Sequence, residues 1–264
     1  MLGILVRMSW AARRRFVILL IIGAVVVAFL MTVSIATFYK SPSCTDRAQN
    51  QEETGIDCGG PCSYLCREQQ QPPTVLFTKA IQNGEGRIDV IAYIENKNPD
   101  AAAKNVPYSI TLYGTGQTLV QKVAGTLDLL PSASVPVFVP GISSGKQKVV
   151  NAFLNIDASA PRWFYLSADV RATRIVPTVS NTKQVGTESA PRIEAVLTNP
   201  SLTTITNVKV IVLVHNERGD VIAASETIVP VISAQGQATA TFTWNEAFSS
   251  IPAVIEVVPI IPLP

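Results

Sequence analysis

The sequence predicts a mainly β protein in which two tandem β-sandwiches follow one N-terminal transmembrane α-helix. Three observations support this prediction. An uncharged run of 24 residues begins at Phe16. From residue 74 onward, short segments rich in Val, Ile and Thr alternate with turn signals and show no long 3.6-residue period, which favours strands over helices. A unit of about 100 residues also occurs twice, which favours tandem domains.

The uncharged run, residues 16–39, is long enough to cross a membrane. A helix of this length reaches roughly 36 Å, against about 30 Å of bilayer hydrocarbon. Arg13, Arg14 and Arg15 precede it, so the positive-inside rule predicts that residues 1–15 are cytoplasmic and residues 40–264 extracytoplasmic. Cleavage as a signal peptide after Ser34-Ile35-Ala36 and burial as a core helix are alternatives. A pilin-like N-terminus is a third alternative, but the run lacks the glutamate of that pattern.

The distribution of charge argues against nucleic acid as a partner. The 21 basic residues include four arginines within the first 15 positions, whereas all 19 acidic residues lie beyond them, so the remainder has a net charge of −2. Nucleic-acid binding requires a concentrated basic face, which this remainder lacks. No asparagine stands in a glycosylation sequon, which is compatible with a prokaryotic cell envelope.

The segment 40–73 contains all of the cysteines: Cys44, Cys58, Cys62 and Cys66. Four cysteines in a short polar segment outside a membrane predict two disulfides, with three possible pairings. Such a segment is too short to bury a core, so the cross-links would stabilise it as a neck. Residues 69–73, polar and proline-rich, are expected to form a linker into the first sandwich.

Two metal sites are alternatives in the same segment. Zinc would require two separated cysteine pairs, and only one end of the segment has that spacing. Calcium could bind the oxygens of Asp46, Asn50, Glu53 and Asp57, although these do not follow the EF-hand pattern and also suit a solvated acidic loop.

The neck resembles a cysteine module of bacterial surface proteins. The similarity covers about 20 residues, from Cys44-Thr45-Asp46 through Glu53-Thr54-Gly55 to the DCGGPC sequence that ends at Cys62. Arg47 stands where the module has glycine. The resemblance implies an exported location and no activity.

The two copies are predicted at 74–168 and 169–264. Asn98-Pro99 matches Asn199-Pro200, and Asn105-Val106 matches Asn207-Val208. Each copy has six predicted strands, which is typical of an immunoglobulin-like β-sandwich. These strands lie at 75–81, 87–95, 106–113, 117–124, 135–139 and 148–156 in the first copy, and at 174–182, 192–197, 208–215, 221–228, 238–244 and 253–258 in the second.

The sequence Ile110-Thr111-Leu112-Tyr113-Gly114 resembles the FxLYD family and the related late-embryogenesis-abundant sandwich domains. Gly114 replaces the usual aspartate, and the second copy matches less closely. The resemblance implies binding or spacer modules without catalytic residues. Leu112 and Val214 are expected to be equivalent inward-facing positions, and each sandwich is expected to fold alone with only a small junction between them.

The residue inventory opposes catalysis. His215 is the only histidine, at a predicted strand end, and no nucleophile elbow occurs. The glycine segment 141–146 is one residue short of a phosphate-binding loop and precedes no helix. We expect no enzyme activity and no cofactor.

Two features suggest contacts with other groups. The aromatic segment, Trp163, Phe164 and Tyr165, is expected either to pack at the junction of the sandwiches or to form an exposed interaction patch. The apolar tail 254–264 is expected to be a last strand with an extension, or to dock on a partner.

These features predict a membrane-anchored, extracytoplasmic interaction or spacer protein of the prokaryotic cell envelope. Its partners would be the lipid bilayer and another envelope protein or surface component. A structural subunit of a larger envelope assembly or filament is the first alternative. An extracellular hydrolase is the second, which the residue inventory opposes.

Overall fold

The computed structural model describes residues 10–38, 43–50, 52–84, 86–145 and 147–263, apart from the side chains of residues 172 and 173. Residues 1–9 of the predicted cytoplasmic tail and residue 39 of the predicted membrane span lie outside this part. Helix α1 spans Trp10–Phe38; after Arg13, Arg14 and Arg15 it carries apolar side chains on every face, and none of its described side chains is buried. An 18-residue stretch of α1 has a mean hydropathy of 3.1, so its length and composition would allow it to cross a membrane.

The first sandwich consists of two antiparallel sheets with the orders β1-β2-β5 and β4-β3-β6. A short strand, β7, pairs with the beginning of β3. The strands are β1 (Thr74–Gln82), β2 (Arg87–Asn96), β3 (Ala101–Gly114), β4 (Leu119–Leu129), β5 (Ala133–Ser143), β6 (Val149–Ile156) and β7 (Trp163–Tyr165).

The second sandwich follows the short helix α2 (Ala168–Thr173) and has the same topology, with the sheet orders β8-β9-β12 and β11-β10-β13. Its strands are β8 (Thr178–Gly186), β9 (Pro191–Thr198), β10 (Ile205–His215), β11 (Val221–Ile232), β12 (Gln237–Thr243) and β13 (Val254–Ile260). Asn105 in β3 and Asn207 in β10 both have φ of 53°, a left-handed conformation that asparagine tolerates, so the repeat extends to backbone detail.

The predicted fold class is confirmed: the protein is mainly β, with antiparallel sheets of sandwich type behind one apolar helix. Each of the six strands predicted in each copy has a counterpart, with shifted ends. Among the described strands and α-helices, the short elements β7 and α2 have no predicted counterpart; two 3-10 turns, Arg67–Gln69 and Thr115–Gln117, have none either. The first strand of the second copy begins at Thr178 rather than at 174, because residues 174–177 connect the end of α2 to the sheet without strand pairing.

Each sandwich has its own apolar core between its two sheets. Leu112 lies in the first core and Val214 in the second, and both are fully buried, as predicted for equivalent positions. Burial of side chains from both sheets provides the main driving force for closing such a sandwich.

A third apolar cluster joins the two sandwiches, so the expected small junction is wrong. We call it the joining cluster. Its buried members are Ile91, Phe138, Ile211, Leu213, Val221 and Ala224. The outer face of β1-β2-β5 packs there on the outer face of β11-β10-β13. The two halves therefore share a hydrophobic interface in addition to their chain connection.

The corresponding outer faces at the two ends of the molecule are mostly polar. On β9, Glu194 stands at the position that Ile91 occupies in β2, and it lies 3.5 Å from Lys183 and 3.0 Å from Arg192. On β3, Thr111 stands where β10 has Leu213. Beside Thr111, the partly buried Tyr113 and the exposed Phe153 form an aromatic pair, with ring centroids 5.9 Å apart.

Candidate interaction sites

The neck is cross-linked by two disulfides, as predicted. The structure selects one of the three possible pairings, Cys44 with Cys62 and Cys58 with Cys66. Sequence reasoning could not make this choice, because all four cysteines lie within a short segment.

The proposed calcium ligands are engaged by the neck backbone. Asp46 accepts hydrogen bonds from the backbone N–H groups of Ser43 and Ala48, and Asp57 from that of Arg47. The Asn50 side chain donates to Asp46 at 2.8 Å. These contacts order the loop by satisfying its backbone donors.

The carboxylate of Glu53 is buried and accepts the backbone N–H groups of Asn50 and Asp57, each at 3.3 Å. Its other oxygen lies 3.0 Å from Sγ of Cys62, whose disulfide leaves no thiol proton to donate. Cys44, Glu53 and Cys62 lie close enough to hold a metal ion. Zinc would require both sulfurs as thiolates, so this arrangement does not suit zinc while the disulfide is intact.

The neck docks on the first sandwich, and residues 70–73 of the expected linker form no helix or strand before β1 begins at Thr74. The backbone N–H of Leu65 donates to the carbonyl of Trp163 at 2.9 Å, and that of Tyr165 donates to Ser63 at 3.2 Å. Further along, the Asn98 side chain exchanges two hydrogen bonds with the backbone of Gln71, at 2.7 and 2.8 Å. The neck thus continues the sheet edge formed by β7.

The aromatic segment forms β7, between the neck and the first sandwich, and not the junction of the sandwiches. Trp163 is only 4% exposed and belongs to the first core, so it is unsuited to an exposed patch. Phe164 is half-buried and packs against the small cluster formed by Ala102, Leu166 and Leu263. Tyr165 is 56% exposed and is the one member whose side chain is open to a partner.

The C-terminal tail returns to the first sandwich of the same chain. Leu263 is buried against Ala102 and Leu166. Its backbone N–H donates to the Asp128 carboxylate at 2.9 Å. Within the described residues, the tail is therefore both the strand β13 and a strap across the two halves.

A polar contact crosses the two sandwiches beside the joining cluster. The Tyr93 hydroxyl donates to Glu256, and Nε2 of His215 lies 3.5 Å from the other oxygen of that carboxylate. Burial, and then the hydrogen bond to Glu256, raise the pKa of Tyr93 well above its usual range. Nδ1 of His215 lies 3.2 Å from the carbonyl of Gly219. Among the described residues the histidine contacts no hydroxyl or thiol that it could activate.

The first of two clefts between the sandwiches has a volume of about 480 Å³ and a mixed lining that includes Asn83, Asp89, Asp220 and Trp244. Asp89 is buried, and this burial raises the pKa of its carboxyl group. Both oxygens of Asp89 are satisfied internally, one by Asn83 at 2.6 Å and the other by the backbone N–H of Gly141 at 2.7 Å.

The second, which we call the apolar cleft, has a volume of about 450 Å³. One wall comes from β5 of the first sandwich and includes Val135 and Val137, and the other comes from β13 and the tail and includes Ile260. Arg174 and Lys209 also line it. Sequence reasoning missed both clefts because each is formed by residues far apart in the chain.

Comparisons with known proteins identify no family. No family model matches the chain, and no curated protein matches it. Among solved structures, a red sea bream transglutaminase is 11% identical to this chain, with a TM-score of 0.24. The match covers 74% of this chain and 32% of the transglutaminase chain. An exo-chitosanase from Amycolatopsis orientalis is 11% identical, with a TM-score of 0.18. The match covers 69% of this chain and 26% of the exo-chitosanase chain.

The coconut allergen cocosin is 9% identical, with a TM-score of 0.12. The match covers 73% of this chain and 86% of the cocosin chain. This chain therefore spans less than a third of the transglutaminase and of the exo-chitosanase. TM-scores this low carry no argument about fold or activity.

Proposed function

We propose that the protein is a membrane-anchored, extracytoplasmic interaction or spacer protein of a prokaryotic cell envelope, without catalytic activity. In this proposal α1 lies in the bilayer, and the neck and the two sandwiches project from it. The observation that carries the proposal is the continuous series of contacts beyond α1. Disulfides cross-link the neck, the neck docks on the first sandwich, the joining cluster connects the two sandwiches, and the C-terminal tail packs back on the first one.

Three features support this arrangement. An apolar helix that packs against none of the described residues requires lipid or another apolar partner. Two disulfides are typical of oxidising compartments outside the cytoplasm. Arg13, Arg14 and Arg15 in the first turns of α1 favour a cytoplasmic N-terminus.

The orientation is tested by protease accessibility in bacterial spheroplasts that express the chain with a tag at each end. We expect added protease to remove the C-terminal tag and spare the N-terminal one. A matched variant with Arg13, Arg14 and Arg15 changed to Gln should show mixed orientation. Protection of the C-terminal tag in spheroplasts would overturn the proposed topology.

The oxidised neck is tested on protein purified from the same membranes under thiol-blocking conditions. We expect no free thiols before reduction and a mass increase of about 4 Da after it, one hydrogen for each cysteine. Four free thiols together with stoichiometric zinc would contradict both the disulfides and the proposed compartment.

A structural subunit of a larger assembly is the alternative, in which α1 would contact other subunits. Size-exclusion chromatography of the detergent-solubilised chain separates the two cases. A spacer or simple binding protein should elute as a monomer or dimer, whereas an assembly subunit should elute in larger species.

A further inference from the structure

We propose that the apolar cleft binds a small monoanionic amphiphile, an alkyl-chain carboxylate, whose anionic head pairs with Arg174. This binding site is additional to the proposed anchoring function and does not depend on the orientation of the chain in a membrane.

The size and lining of the cleft match the apolar part of such a ligand. At about 30 Å³ for each group of the size of a water molecule, a volume of 450 Å³ accommodates roughly fifteen non-hydrogen atoms. The apolar surface open in the cleft comes from Val176, which is 42% exposed, and from the partly buried Val258 and Ile260. Val137 and Ile211 also line the cleft but are themselves buried. A fully hydrated anion such as phosphate would leave these surfaces in water, whereas an alkyl chain would cover them.

The charges around the cleft leave one cation unpaired. Lys209 is paired with Glu226 at 3.3 Å. One oxygen of Asp128 accepts the backbone N–H of Asn105 at 2.9 Å, and the other accepts that of Leu263 at 2.9 Å. Arg174 is half-buried and has no carboxylate within ion-pair distance in the described part of the chain; the Asp128 carboxylate acts on it only electrostatically and offsets a part of the effect of burial on its pKa.

The guanidinium of Arg174 retains donors that no described residue uses. Nη2 donates to the carbonyl of Ile261, while Nε is buried without a partner. Nη1 has no hydrogen bond to a described residue, and Arg174 lines the cleft, so in the proposal Nη1 is the donor to the anion. Burial disfavours the charged form and lowers the pKa of Arg174, yet an arginine remains protonated in proteins. A bound carboxylate would compensate a charge that is otherwise only partly solvated.

The test uses the full chain in lipid nanodiscs and a photoreactive derivative of decanoic acid, a ligand of twelve non-hydrogen atoms. We expect labelling of the peptides that contain the cleft walls. Excess decanoate should suppress it, whereas decanol should compete roughly tenfold less well, because a hydrogen bond to a charged group is stronger than one to a neutral group. Acetate, which lacks the chain, should not compete.

Two pairs of variants provide controls. Arg174→Gln keeps a donor for Ile261 but removes the charge, and it should lower decanoate competition to the level of decanol, whereas Arg174→Lys should retain part of the preference. Val176, which lines the cleft and is 42% exposed, can be enlarged without disturbing a core. Val176→Trp should block labelling, and Leu202→Trp, at a residue 80% exposed elsewhere, should not.

Equal competition by decanol and decanoate would overturn the assignment of Arg174. Labelling of the wall peptides that persists in Val176→Trp would overturn the cleft as the binding site. Neither outcome depends on the orientation found in the spheroplast experiment. The proposed binding site and the proposed topology can therefore be contradicted independently of each other.

Discussion

Buried asparagines hold the turns that follow β2 and β9. The Asn199 side chain donates to the carbonyls of Thr203, Ile232 and Ser233, at 2.8 to 3.2 Å. Asn96 does the same in the first sandwich, donating to Ala101 and Leu130 at 2.8 and 2.7 Å. These matching contacts correct the sequence alignment, which paired Asn199 with Asn98 because both precede proline.

Replacing Asn199 with alanine should lower the free energy of unfolding by about 2 to 4 kcal/mol, because several buried carbonyl groups would lose their donor. Urea unfolding of residues 40–264 with the disulfides intact measures the loss. Asn151→Ala removes an exposed asparagine and should change the free energy by less than about 0.5 kcal/mol. Equal effects of the two substitutions would contradict the structural role assigned to Asn199.

The raised pKa of Tyr93 predicts that the free energy of unfolding depends on pH in the alkaline range. Its pKa is raised in the folded state, first by burial, so it stays neutral while a tyrosine in the unfolded chain ionises near its ordinary value of 10.0. The unfolded state is then favoured, and the free energy of unfolding falls as the pH rises through that value.

Tyr93→Phe should therefore lose less free energy of unfolding between about pH 9 and about pH 11 than the wild type loses. Urea unfolding across that range measures the difference. Tyr165→Phe, at an exposed tyrosine, should keep the wild-type dependence. A wild-type slope in Tyr93→Phe would show that the Tyr93 hydroxyl does not remain neutral in the folded protein.

At the level of elements, the C-terminal tail stabilises a sandwich to which it does not belong in sequence. Leu263 is 3% exposed and lies against Ala102 of β3 and Leu166, beside the half-buried Phe164. The tail thereby covers the same end of the first sandwich that β7 and the neck cover.

Leu263→Ala should cost about 2 kcal/mol or more, as truncations of buried leucines do. It should also accelerate amide exchange at Leu166, whose N–H donates to the carbonyl of Asp100 at 2.9 Å. Leu202→Ala, at an exposed leucine in the second sandwich, serves as the control. Unchanged exchange at Leu166 would indicate that the tail contributes little to the first sandwich.

The sequence predicted most elements because local signals specify them. Alternating apolar residues and turns with Gly, Pro or Asn delimit β2, β3, β9 and β10. The strand β7 escaped prediction because three residues carry no periodicity, and they form a strand only where β3 and the neck offer partners. The apolar cleft and the packing of the C-terminal tail on the first sandwich were not predicted either, because both depend on contacts between residues far apart in the chain.

The sequence carries one signal for the joining cluster. The strands β2 and β10 contain the nearly continuous apolar runs VIAYI and VIVLV, which indicate burial on both faces of a sheet. Polar residues alternate more regularly in β9 and β12, whose sheet covers a core on one side only. Comparison of these patterns would have predicted which faces meet.

For the whole molecule, the joining cluster predicts one cooperative unfolding transition instead of two independent ones. Leu112→Ala should cost about 2 to 5 kcal/mol and destabilise both halves, because the cluster couples them. Hydrogen exchange of peptides from β3 and β10 across a urea series measures each half separately. We expect coincident transitions for the two peptides in both proteins. Separate midpoints would favour the independently folding domains that the repeat alone predicts.

The contact between the sandwiches has a further consequence, since it joins two different faces. Such a head-to-tail contact can continue from unit to unit and generate a fibre when each unit offers both faces. Here the apolar outer face of β10 already packs on the apolar outer face of β2. Glu194 and Thr111 replace the corresponding apolar residues on the outermost faces. At these two positions the outermost faces therefore do not repeat the apolar contact of the joining cluster, so the described residues show the contact only once, between the two copies within the chain.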